Sequence, residues 1–180
     1  MMKRIAEASP SFQARVAGVL YFFNVLTAIF GEVVRGRLGY PAGDIAIVAM
    51  AAMTLILYGI FKPVNWGLAL LAVACNLVGL SFEALRLIPH GVDVALVFTG
   101  CFCIVTGYLI FTSTFLPRIL GALMAFAGLG WLTYMSPPLA KRLSPDNLPA
   151  GLLGEVAVFL WLVVKGVSVH QHAGAAQERQ

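Results

Sequence analysis

Six continuous apolar runs constrain this chain more than any other feature: 15–34, 44–61, 66–88, 91–112, 117–135 and 148–168. A helix rises about 1.5 Å per residue, so ~20 mostly apolar residues cross a hydrocarbon core ~30 Å thick. Charged residues make up 11% of the chain, against about 25% in a soluble domain, and its mean hydropathy is +0.89. A chain so short of polar surface is neither disordered, nor a disulfide scaffold, nor an ordinary soluble enzyme. The net charge of +4 is spread too thinly among apolar residues to form a nucleic-acid face. The runs are unbroken, where a membrane β-barrel needs ten-residue alternating segments. The fold class is therefore all-α, an integral membrane bundle of six transmembrane helices.

The punctuation between runs fits this count. Gly39-Tyr40-Pro41-Ala42-Gly43 closes the first gap, Lys62-Pro63-Val64-Asn65 makes a tight hairpin, and Pro89-His90-Gly91 separates the third run from the fourth. Pro117 stands where a first helical turn accepts proline. The longest interruption runs from Ser136 to Pro149. The second run, of about 18 residues, is the shortest reading. Lys3 and Arg4 precede the first run, but Asn24, Glu32 and the lack of a small-x-small cleavage site argue for an uncleaved span over a signal peptide. The expected organisation is a cytoplasmic segment over 1–14, the membrane domain over 15–168 and a polar, flexible tail over 169–180.

With the N-terminus inside, the cytoplasmic face holds seven basic residues (Lys3, Arg4, Arg15, Lys62, Arg118, Lys165, Arg179) and the other face five (Arg35, Arg37, Arg86, Lys141, Arg142). The positive-inside rule then favours cytoplasmic termini.

The acids are distributed more unevenly. Six of the eight fall on one side: Glu32, Asp44, Glu83, Asp93, Asp146 and Glu155. By helix rise, Glu32 and Glu83 lie roughly 26 Å from the near face, Asn24 and Asn76 about halfway across, and Glu155 roughly 10 Å below the far surface. Isolated charges at such depths cost at least about 2.5–3.5 kcal/mol, so they should face the bundle interior. Glu32/Arg35 and Glu83/Arg86 are i,i+3 pairs, which places opposite charges on one helical face. Asn76 lies two turns below Glu83, and Asn24 three turns below Arg35. The expected site is a polar pocket on the non-cytoplasmic side, formed by Glu32, Arg35, Glu83 and Arg86 and floored by Glu155, Asn24 and Asn76. The same charged pairs can instead snorkel to headgroups, and buried Asn and Glu can serve as interhelical glue worth about 0.6–2 kcal/mol. Glu155 has no basic residue within a turn, so its carboxyl must be paired across helices or protonated.

Other chemistry is poorly supplied. There is no HExxH, and His90 beside Pro89 and Gly91 reads as a loop residue, so no metal site is expected. No histidine lies within a span, as an axial haem ligand would. Cys101-Phe-Cys103 is CxC, with thiols about 200° apart on a helix; it and Cys75 read as small packing residues. Ser81, Ser113 and Ser168 lack a positioned histidine base, and no Gly-rich phosphate loop occurs. Gly121, Ala125 and Gly128 form a small-residue stripe suited to close helix packing. No cofactor is expected.

Several strings taken together resemble one family: ARVAGVLYFFNVLTAIFGEVVRGRL at 14–38, FKPVN at 61–65, GYLIFTSTFLPRILGALMAFAGLG at 107–130 and GEVAVFLWLVVKGV at 154–167. It is the bacterial multi-pass membrane family catalogued as domain of unknown function 4386. The likeness extends from Arg15 to Val167, with Glu32, Arg35, Arg37, Pro63, Asn65, Pro117 and Glu155 at recognisable positions. Over 39–50 this chain is shorter than family members. The resemblance implies a helical protein of the bacterial cytoplasmic (inner) membrane and supplies no reaction and no catalytic residues.

The functional expectation is a non-enzymatic, multi-pass membrane protein whose charged pocket binds a lipophilic or small polar ligand, or a membrane partner. Its partners are then the lipid bilayer, a small-molecule or lipid ligand, and a second copy or other membrane protein, with no nucleic acid. The alternatives are a small proton-coupled transporter in which Glu155 cycles its proton, and a lipid-modifying membrane enzyme with Glu83 or Glu155 as general acid or base.

Overall fold

The computed structural model describes residues 9–34, 39–144 and 146–167, with the side chains of 32, 39, 40 and 148 left aside. Arg35 and Arg37, the first eight residues and the tail beyond Val167 lie outside this description. The helices are α1 (Pro10–Val34), α2 (Gly39–Phe61), α3 (Trp66–Ala84), α4 (Val94–Thr112), α5 (Arg118–Leu132), a short α6 (Pro137–Leu143) and α7 (Asn147–Val164). No strand occurs among the described residues. Five helices are long and apolar enough to cross a membrane, and α7 contributes a sixth, shorter apolar helix over Pro149–Val164.

Each long helix packs against its chain neighbours, and α7 passes back between α5 and α1. The six therefore close into a ring of alternating direction. Contacts along the seams include Asn24 with Met50, Asn76 with Thr54, and Tyr21 stacked on Phe159 with ring centroids 4.0 Å apart. Closure buries a core of Tyr21, Met53, Phe102, Met124, Phe159 and Leu162. Large apolar side chains such as Leu26, Val33, Leu70 and Phe126 remain on the outside, as lipid-facing positions require. Helices are the natural spanning element because they satisfy their own backbone polar groups.

Several expected boundaries shift, each for a local reason. The first helix begins at Pro10, not Arg15, because proline is at home in a first turn and the Ser9 hydroxyl accepts the Phe12 N–H at 3.4 Å. Gly39–Gly43 is the opening of α2 and not a loop. Pro41 sits in that first turn, where its missing N–H costs nothing, so the second span is longer than read. The third helix stops at Ala84 instead of 88: Arg86 takes φ 53, and the Leu87 N–H bonds to the Phe82 carbonyl at 3.0 Å. The fourth starts at Val94 instead of 91, after a 3-10 turn over Pro89–Gly91, with Asp93 capping the Leu96 N–H at 3.2 Å. The fifth ends as helix at Leu132 and continues as a 3-10 turn over Thr133–Met135. The Ser136–Pro149 interruption contains α6, and the last helix stops at Val164, not 168.

Glycines on both sides close the seam between α4 and α5. A Cβ on Gly107 would lie 2.7 Å from the Gly121 carbonyl oxygen, and one on Gly128 would lie 2.7 Å from that of Gly100. Backbone thus lies against backbone at two levels a heptad apart, which places the Gly121/Ala125/Gly128 stripe at a helix–helix contact.

Candidate functional site

The deepest polar cluster is built from four helices around Glu155. This residue lies on α7, one position after Gly154, and is 4% exposed. Gly154 is where α7 meets α5: a Cβ there would fall 2.0 Å from the Leu123 carbonyl oxygen. The resulting close approach carries the neighbouring carboxyl into the ring. Its Oε1 accepts a hydrogen bond from the Trp131 indole Nε1–H of α5. The Cys103 thiol of α4 donates to the same oxygen at 3.4 Å. Tyr21 of α1 stacks on Phe159, one turn along α7 from Glu155; its hydroxyl reaches no partner in hydrogen-bond geometry, and the residue is 1% exposed. Among the described residues no basic side chain pairs with Glu155. A carboxyl, a thiol, an indole and a phenol are thus gathered within the bundle with hydrogen-bond donors and no cation.

The other expected residues do not join this cluster. Asn76 is buried, and its Nδ2 donates to the Thr54 hydroxyl of α2, which itself donates to the Met50 carbonyl at 2.8 Å. Asn24 is half-buried, with its amide 3.8 Å from the Met50 sulfur. The two asparagines therefore bridge α1, α2 and α3, away from the floor expected beside Glu155. Glu83 is exposed at the end of α3. Its expected i,i+3 face with Arg86 does not form as helix, because Arg86 lies beyond the helix end in a left-handed turn. The Arg86 guanidinium instead reaches Asp44 of α2 at 3.7 Å. Glu32 belongs to the last turn of α1, its side chain lies outside the description, and Arg35 does so entirely.

Asp44, Glu83, Asp93 and Asp146 all sit at one end of the ring, the end towards which Glu155 is nearer. Arg15, Lys62, Arg118 and Lys165 sit at the other. Among the described residues no group of three His, Cys, Asp or Glu side chains is disposed to hold a metal ion. His90, with φ 53 in its 3-10 turn, is exposed.

Cys103, Trp131, Tyr21 and Thr54 were not legible as polar partners. A tryptophan near a span end reads as an interfacial residue, and a lone buried cysteine reads as packing. Their pairing depends on helix rotation and register. The available signal was the glycine pattern: Gly100, Gly107 and Gly154 mark where α4 and α7 approach α5, next to Cys103 and Glu155.

A closed ring of alternating apolar helices with a buried carboxyl cluster defines a polytopic helical membrane protein. Residues 83–166 match the family model described as Domain of unknown function (DUF4386). The matched segment contains Cys103, Trp131 and Glu155 and excludes Tyr21. No curated protein and no solved structure matches the chain.

Proposed function

We propose that this is a non-enzymatic membrane protein that binds a small ligand through Glu155, the ligand supplying the positive charge that the carboxyl lacks. The supporting observation is the carboxyl itself: buried, held by Trp131 and Cys103 from two other helices, and without a basic partner among the described residues. An ionisable group in the middle of a membrane protein is costly and points to function. The unpaired Tyr21 hydroxyl beside it offers a ligand a second contact. The acidic end of the ring, with Asp44, Glu83, Asp93 and Asp146, favours approach of a cation from that side. We place the protein in the bacterial cytoplasmic membrane with both termini inside. Supporting this are the seven-to-five distribution of basic residues and the family resemblance.

Mass spectrometry of compounds that copurify with the protein in mild detergent tests this reading. A specific amine lipophile retained by the wild type and lost by a folded Glu155→Gln variant is the expected result. Bulk phospholipid alone in both samples would make Glu155 structural glue and end the ligand reading.

A second reading, a small proton-coupled carrier, is favoured by the same missing counter-charge, since a proton can supply it. It predicts pH-driven flux in proteoliposomes that Glu155→Gln abolishes; equal flux in both proteins would remove it.

A further inference from the structure

At the opposite end of the ring from the acidic cluster, a cleft of about 520 Å³ opens between the last turn of α7 and the link from α4 to α5. It is lined by Trp161, Lys165, Gly166 and Val167 on one side and by Thr114, Phe115, Leu116 and Pro117 on the other. We propose that this cleft seats the headgroup of an anionic phospholipid, with Lys165 meeting the phosphate. The inference is independent of the Glu155 reading and concerns the other face of the protein.

Three observations carry it. The first is the fixed position of the lysine. Trp161 and Lys165 are i,i+4 neighbours and therefore share a helical face. The Lys165 N–H closes on the Trp161 carbonyl at 2.8 Å, and the Gly166 N–H on the Leu162 carbonyl at 3.1 Å. Gly166 then turns the chain at φ +69, where its missing side chain lets it lie against Ser11 of α1; a Cβ would be 2.4 Å from the Ser11 hydroxyl. The α7 terminus is thus pinned to α1, and Lys165 is left exposed at the cleft. The second is charge. Among the described residues Lys165 has no ion-pair partner. The charged residues described at this end, Arg15, Lys62, Arg118 and Lys165, are all basic. Arg118 flanks the cleft beside Pro117, its guanidinium 5.9 Å from the Phe111 ring centroid. The third is placement and lining. The cleft lies at the ends of α4 and α7, the level of the headgroups, where an amphipathic indole such as that of Trp161 is at home. Buried Phe115, Leu116 and Val167 supply an apolar floor beneath the cation, suited to a glycerol backbone and acyl carbons. The volume falls in the range of small-molecule sites, about 300–1,000 Å³. Charge and lining together select an anionic headgroup over a soluble anion, which would have no use for the apolar floor.

Native mass spectrometry of the full-length protein, offered equal amounts of phosphatidylglycerol and phosphatidylcholine in mild detergent, tests the proposal. Wild type should retain phosphatidylglycerol preferentially, and Lys165→Gln should lower that retention about fivefold, the effect of one basic residue at an anionic surface. Lys165→Arg should preserve it. Lys62→Gln, at the same end but in another loop, should leave it unchanged. Equal retention of both lipids by wild type would overturn the proposal, as would an equal loss in Lys62→Gln, which would mean diffuse attraction and no site. Inorganic phosphate is the remaining arm. Calorimetric binding of phosphate without any preference for phosphatidylglycerol would assign the cleft to a soluble anion and overturn the lipid reading.

Discussion

At the scale of single residues, the polar contacts inside the ring are unequal in what they contribute. The Trp131 indole donates to a buried carboxyl, and removing one partner of such a bond leaves the other desolvated and unsatisfied. Trp131→Phe keeps an aromatic ring but deletes the donor and part of the indole's volume, so it should cost at least about 1–3 kcal/mol. Thermal denaturation in detergent should register this as a clear drop in Tm. Tyr21→Phe should behave oppositely. Its hydroxyl is buried without a partner, so deleting it removes a desolvation cost and should leave Tm unchanged or raised. A fall comparable to that of Trp131→Phe would mean that the phenol bonds Glu155 in the membrane. Depth alone, counted along the helix from Leu148, was enough to single out Glu155 from the sequence. Its partners were illegible because a cross-helix bond depends on which way each helix is rotated. Cys103 and Trp131 have no periodicity of their own that sets them apart from packing residues. Asn76 shows the same limit: its burial could be read from its depth, but its bond to Thr54 could not.

At the scale of helices, six apolar runs were legible because a spanning helix needs little more than length and low charge. Their ends were less so. Pro41 was read as a breaker when it occupies a first turn, and Arg86 was read as helical although the chain has already left the helix at φ 53. Proline means opposite things at the two ends of a helix, and a non-glycine residue in the left-handed region gives no warning in sequence. Glycine was the more dependable sign. Gly107 on α4 and Gly121 on α5 face one another so closely that a Cβ on the former meets a carbonyl oxygen at 2.7 Å and the Ala125 nitrogen at 2.8 Å. Gly107→Ala must therefore push the two helices apart, at a cost of about 1–3 kcal/mol. Gly43 on α2 has nothing within 4 Å of its would-be Cβ. There Gly43→Ala only reduces the freedom of the unfolded chain and should stabilise by about 0.4–1 kcal/mol. Opposite shifts of Tm for one identical chemical change would locate the seam. Equal shifts would show that α4 and α5 do not meet at Gly107.

At the scale of the whole molecule, the decisive question is whether α7 crosses the membrane. It has 18 residues, or ~27 Å of helix, against a hydrocarbon core of ~30 Å. A deficit of about 3 Å is small enough for local thinning of the bilayer to absorb. The packing requires the crossing: Gly166, just past the end of α7, lies against Ser11 at the start of α1, while Gly151, near the start of α7, meets Trp131 near the end of α5. The two ends of α7 therefore lie at opposite ends of the ring, and the first and last described residues lie at the same end. The expected result is that a compartment-sensitive reporter fused at either terminus reads the same side of the membrane. A re-entrant α7 would leave five crossings and place the reporters on opposite sides. Opposite readings would also remove Glu155 from its place among Tyr21, Cys103 and Trp131, because that cluster forms only when α7 threads between α5 and α1. The carboxyl site and the sixth crossing thus stand or fall on one topology experiment, before any ligand is identified.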